Sequence, residues 1–93
     1  MKKFTKGESV CISLESLYRN ITNLNSGHID FTEDNGCEYY DLYNDNGVLV
    51  CMDGEVCIIE DISEDVFTLS NNTGIQEEYF TLTVEEIGIA VFR

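Results

Sequence analysis

HIDFTEDNGCEYYDLYNDNGVLVCMDGEVCIIE, residues 28–60, holds three turn signals in one sweep: Glu33-Asp34-Asn35-Gly36, Asn44-Asp45-Asn46-Gly47 and Asp53-Gly54. Each separates short runs rich in β-branched and aromatic residues, and Asn and Gly are the residues that tolerate the positive φ of tight turns. Two further clusters, Asn25-Ser26-Gly27 and Asn71-Asn72-Thr73-Gly74, continue the pattern on either side, and the chain contains no proline. This spacing predicts an antiparallel β-meander with strands near 28–32, 37–43, 48–52, 55–60, 66–70 and 76–82.

Two segments break the alternation. Leu14, Leu17, Tyr18, Ile21 and Leu24 recur at intervals of three and four, which places them on one face of an amphipathic helix. Ser13 is its natural N-cap, Glu15 complements the helix dipole in the first turn, and Gly27 is placed to end it. A short strand over 9–12 precedes it. Near the other end, Thr83 and Glu86 stand three apart, a capping box ahead of Ile87, Ala90 and Val91. The expected fold is therefore α+β: an antiparallel meander of five to seven strands, an N-terminal amphipathic helix and a short C-terminal helix, in one acidic domain over residues 1–93.

Charge is distributed unevenly. The chain has 18 Asp and Glu against 5 Lys and Arg, for a net charge of -13. Lys2, Lys3, Lys6, Arg19 and Arg93 all lie outside the stretch from Asn20 to Phe92, which holds every acidic residue except Glu8 and Glu15. Such a field repels nucleic acid and anionic membranes and draws in basic surfaces, at rates that fall as salt rises. Direct binding to nucleic acid is excluded on this reading, and no run approaches the ~20 apolar residues of a membrane span. A hydrophobic content of 43%, with five Tyr and five Phe, separates the chain from disordered acidic tails. Met1 to Gly7 resembles the charged start of a signal peptide, but Glu8 and Ser9 stand where an apolar stretch is required, so a cytoplasmic location is expected.

In that compartment four cysteines read as thiols or metal ligands before disulfides. Cys51 and Cys57 bracket the Asp53-Gly54 turn. A three-residue loop puts both sulfurs on one face, whereas a two-residue turn sends them to opposite faces. If residues 44–47 form a loop, Tyr43 pairs with Val48 and Cys37 reaches the level of Gly54. A turn at 33–36 sends His28 towards Asp41, at the other end of the sheet. Cys11, Cys37, Cys51 and Cys57 are thus the expected ligands of one structural zinc ion, with His28 as the alternative to Cys11. Free cysteine also packs as a small hydrophobe, which competes with that reading. Calcium is a poor fit: an EF-hand loop with Gly47 or Gly36 at its sixth position would start on Leu42 or Phe31, and neither coordinates a cation. No catalytic signature surrounds any thiol, there is one histidine, and no glycine-rich phosphate loop occurs, so no enzymatic activity is expected.

What remains is recognition. Tyrosines among carboxylates suit an interface with Arg-rich protein, since an aromatic ring supplies contact area and guanidinium pairs with both. The expected partner-binding residues are Asp53, Glu55, Glu60, Asp61, Glu64, Asp65, Tyr39 and Tyr43. In size, charge and class the chain resembles the small acidic anti-CRISPR inhibitors of phages and other mobile elements; no residue role is carried over, because no motif is shared. The resemblance implies an inhibitor that blocks guide or target nucleic-acid access on a basic RNA-guided nuclease, or on another nucleic-acid-binding enzyme. The alternative is a non-inhibitory, β-rich accessory domain that binds a peptide or a protein subunit.

Overall fold

The computed structural model describes residues 4–21, 23–71 and 78–92, with Phe92 described by its backbone. The element order is β1 (Ser9–Ile12), α1 (Leu14–Asn20), β2 (His28–Asp34), β3 (Cys37–Tyr43), β4 (Leu49–Met52), β5 (Val56–Ile62), β6 (Val66–Asn71), β7 (Tyr79–Thr83), α2 (Val84–Ala90) and β8 (Val91–Phe92). The fold is α+β and all strand pairings are antiparallel, as the turn spacing predicts. Residues 72–77, which include most of the last turn cluster and the start of the strand expected at 76–82, lie outside the described residues. Among the described residues no helix is long and apolar enough to cross a membrane.

The strands divide between two sheets. One has the order β7-β6-β5-β1-β8 and the other the order β2-β3-β4. Alternation fixes the inner face of the larger sheet: Val10, Ile12, Cys57, Ile59, Phe67, Leu69, Phe80, Leu82 and Val91 are all buried. Tyr40, Leu42 and Cys51 of the smaller sheet, Leu14 and Leu17 of α1, and Ile87 and Ala90 of α2 complete one core. A bulge where Leu42 opposes Cys51 and Tyr43 opposes Leu49 leaves both Val50 and Cys51 buried. The connecting loop is one residue longer than expected, so Tyr43 opposes Leu49 in place of Val48, and the bulge adds one further residue of shift from Leu42 onward.

Both helix starts follow local chemistry. Ser13 Oγ accepts the Ser16 N–H at 3.2 Å. α1 is shorter than its apolar period implies: Ile21 is its C-cap in extended conformation, and Asn20 Nδ2 donates to the Ser16 carbonyl at 2.8 Å. Ile21 and Leu24 still pack against the core from non-helical backbone, so three-to-four spacing continues past the helix that it predicts. Gly27 therefore ends no helix. It has φ +78, and a Cβ there would run into the carbonyl of Tyr43, so only glycine permits this close approach. Val91, expected in the second helix, leaves it to pair with Ile12 in β8.

The capping box of α2 extends beyond the helix. Thr83 Oγ1 accepts the Glu86 N–H at 3.2 Å and Glu86 Oε1 accepts the Thr83 N–H at 2.7 Å. The second oxygen of this buried carboxylate accepts the Asn25 N–H at 3.0 Å, which ties the segment after α1 to the start of α2. Thr83→Ala is expected to cost about 1 kcal/mol, as a lost helix cap. Glu86→Ala strands two backbone donors at once and should cost about 3 kcal/mol. Urea unfolding of both variants checks the order, and equal losses would show that the Asn25 contact contributes nothing.

Candidate functional site

The smaller sheet presents the surface of interest. Asn35 (φ 51) and Gly36 (φ 81) form a two-residue loop with both residues in the left-handed region, so Asp34 pairs with Cys37. The register then runs without a shift to His28 opposite Tyr43, two residues beyond the Asp41 expected from a four-residue turn. Residues of this hairpin sort onto two faces by alternation.

The inner face carries Ile29, Phe31, Tyr40 and Leu42. Tyr18 of α1 joins Phe31 and Tyr40 there in a ring cluster, with centroids 5.1 to 5.7 Å apart. Arg19 lies on the same side, 3.2 Å from Glu15 and 3.6 Å from Glu38. Burial, then the Glu38 charge, pushes the Tyr40 hydroxyl up from its ordinary value.

The outer face is open. It carries His28, Asp30, Thr32 and Asp34 from β2, Cys37, Tyr39, Asp41 and Tyr43 from β3, and Leu49 and Met52 from β4. Tyr39 is 52% exposed, Met52 48% and Leu49 44%, while His28 stacks on Tyr43 at 5.4 Å. Asp30 stands directly opposite Asp41, and on the inner side Glu33 stands directly opposite Glu38. Like charges opposed across a strand pair destabilise a sheet. Among the described residues no Lys or Arg pairs with Asp30, Asp34 or Asp41; His28 Nε2 lies 3.6 Å from Asp30 Oδ1.

The eight residues expected to bind a partner separate into three groups. Tyr39 and Tyr43 lie on the open face. Asp53 and Glu55 are engaged within the fold: Asp53 Oδ1 accepts the N–H groups of Leu14 and Glu15, at 2.7 and 3.2 Å, and Glu55 Oε1 accepts those of Met52 and Asn71 Nδ2, at 2.6 and 2.8 Å. Glu60 accepts the Ser70 hydroxyl, and Asp61, Glu64 and Asp65 project from the β5–β6 end of the other sheet. Asp30 and Asp41 were legible only as acidic residues in strands and Asp34 only as part of a turn, because it is the hairpin register that gathers them beside Tyr39 and Tyr43.

The cysteines are likewise divided. β4 and β5 belong to different sheets, so the 51–57 segment forms no hairpin, yet Cys51 Sγ and Cys57 Sγ meet at 3.7 Å in the core. The hydrogen bond with Cys57 and burial push the Cys51 thiol far up, with the charges of Glu55 and Asp53 acting the same way. Cys11 neighbours Val10, whose partner is Cys57, so alternation sends its sulfur to the other face of the sheet, where it donates to the Gly54 carbonyl at 3.2 Å. Cys37 is exposed beside the hairpin turn, and Cys51 is level with Leu42, five residues along β3, about 17 Å away. His28 stands at the opposite end of β2. Among the described residues no group of three or more His, Cys, Asp or Glu is gathered for a metal ion.

No protein-family model matches the chain, and no curated protein or solved structure matches it.

Two measurements probe this geometry. Cys37 should react first with a thiol reagent, the half-buried Cys11 more slowly, and Cys51 and Cys57 only on unfolding; four equal rates would refute the division. Asp45 closes the other end of the open face, where Oδ1 accepts the Gly27 N–H at 2.8 Å and Oδ2 the Ser26 hydroxyl at 3.0 Å. These bonds, the Gly27 one first, hold its carboxyl below the ordinary 3.8. A folded-state value below the unfolded one adds stability above the ordinary carboxyl range, and that stability is lost as pH falls through the folded value. Asp45→Asn should therefore lower the melting temperature at pH 7, with the deficit closing towards pH 3. A deficit of the same size at both values would show that charge plays no part.

Proposed function

We propose that this chain is an acidic, non-enzymatic binding protein whose open sheet face engages the basic surface of a nucleic-acid-binding enzyme and competes there with the nucleic acid. The partner class is an RNA-guided nuclease or a similarly basic enzyme, acting in the cytoplasm, and the mode is that of an anti-CRISPR-type inhibitor. One observation supports the reading: Asp30 and Asp41 are directly opposed, without a Lys or Arg partner among the described residues, on a face that also exposes Tyr39 and Met52. A sheet selected only to fold would gain from placing opposite charges at such a pair. An interface of carboxylates around aromatic anchors instead matches surfaces rich in Arg and Lys, which normally grip phosphates. A zinc ion is not required for this role.

The alternative, an accessory domain that binds a peptide or subunit without inhibiting, is favoured by a groove of about 510 Å³ lined by Phe4, Ile62, Glu64, Phe67, Val84, Ile87 and Gly88. Salt separates the two readings, because a charge-driven complex weakens steeply with ionic strength and an apolar one does not.

The sharper test sets binding against stability. Asp30→Lys turns a repulsive cross-strand pair into an attractive one and should stabilise the fold by about 0.5 kcal/mol. The same change should weaken binding to an RNA-guided nuclease at least tenfold, chiefly through slower association, and relieve competition with its guide or target strand. Binding that survives Asp30→Lys unchanged, or that nucleic acid does not displace, would refute the proposal.

A further inference from the structure

β2 has a strand neighbour on one side alone among the described residues, and the direction of its free backbone groups follows from the register. Tyr40 accepts the Asp53 N–H at 3.0 Å, so the Tyr40 backbone faces the β4 side of β3. Its partner Phe31 must then face away from β3, and by alternation so must Ile29 and Glu33. The N–H and C=O groups of these three residues line an outer edge. Among the described residues no backbone group outside the sheet bonds to them.

Proteins usually blunt such an edge with Lys, Pro, a bulge or a short strand. β2 has none of these: it is seven residues long, contains neither Lys nor Pro, and pairs with β3 without a register shift. What it has is negative charge, at Asp30 and Asp34 on the open face and at Glu33 on the other. That device depends on sign. A second copy of this chain would bring acid against acid, whereas a basic strand meets no repulsion.

We infer that β2 is a strand-addition site for an extended protein segment that alternates basic and apolar residues, a reading that rests on the acidic interface proposed above. Such a segment, docked about 4.8 Å from β2, makes about six backbone hydrogen bonds with Ile29, Phe31 and Glu33. Its basic side chains fall beside Asp30 and Asp34 on the open face. Its apolar side chains fall beside Ile29 and Phe31, where Phe31 is 40% and Tyr18 47% exposed, extending the ring cluster. Backbone bonding supplies affinity, and the alternation supplies selectivity.

The probe is an eight-residue peptide of alternating Arg and Val, capped at both ends, titrated into the whole chain and followed by amide hydrogen exchange. At saturation the N–H groups of Ile29, Phe31 and Glu33 should exchange at least tenfold more slowly, and those of Asp30 and Thr32, already bonded to β3, should change less. Glu33→Pro removes one edge donor without touching the β2–β3 ladder, and Glu33→Gln removes the same charge but keeps the donor. The proline variant should bind the peptide about tenfold more weakly than the glutamine variant. Equal affinities of the two variants, or a wild-type complex in which the three edge amides stay unprotected, would overturn strand addition and leave the acidic-face reading intact. Absence of peptide binding would overturn it equally, while failure of the nuclease competition test would strike the underlying reading instead.

Discussion

Everything in this fold passes through the turn at Met52 to Glu55. The Glu55 N–H bonds to the Met52 carbonyl at 3.1 Å, with Gly54 at φ 83, a conformation that costs an L side chain about 1–2 kcal/mol. Here the chain leaves the small sheet for the large one. The Gly54 N–H reaches Ile12, the Glu55 carbonyl accepts from Ile12, and the Asp53 N–H reaches Tyr40, so β1 and β3 are fastened to the same four residues. The Asp53 carboxylate holds the first two N–H groups of α1, and Glu55 reaches Asn71 of β6. Beneath it lie the Cys51 and Cys57 thiols, buried between the sheets.

The turn illustrates how a protein with a charge of -13 folds when cations are scarce. Its structural carboxylates bond chiefly to backbone N–H groups: Glu8 to Thr5, Asp45 to Gly27, Asp53 to Leu14 and Glu15, Glu55 to Met52, Glu86 to Thr83 and Asn25. Such bonds are charge-assisted and short-ranged, and they are worth more than an exposed ion pair such as Arg19 with Glu15. With those carboxylates committed internally, the remainder stand out as a separate population. Asp30, Glu33, Asp34 and Asp41 crowd one hairpin, and Asp61, Glu64 and Asp65 the β5–β6 end of the other sheet.

Of these two clusters the hairpin is the one that combines charge with shape. Its outer face is pleated and aromatic, its edge is unpaired among the described residues, and its like-charge pairs lower the stability of the sheet that carries them. On the proposed function, a basic partner would relieve that repulsion on contact, returning part of the electrostatic cost of folding on binding.

Much of this was set locally, and so could be read from the chain. Ser13 and Thr83 cap helices because a side-chain oxygen near three N–H groups needs no distant partner, and Asn35-Gly36 turns the chain because its φ values are intrinsic to those residues. Alternation likewise put Tyr39 and Tyr43 on one face. Long-range choices were not legible. A period of two is the same whatever strand lies alongside, so the sequence could not say that β1 would slip between β5 and β8, or that β4 and β5 would part into different sheets. Those pairings turned Cys11 away from Cys57, and with the hairpin register they held Cys37 far from both. They also committed Asp53 and Glu55 to the interior framework and left Asp30 and Asp41 facing outward. Acidic residue count belongs to the sequence; which acids bond within the framework and which stand on an open face was decided only when strands from distant parts of the chain chose their neighbours.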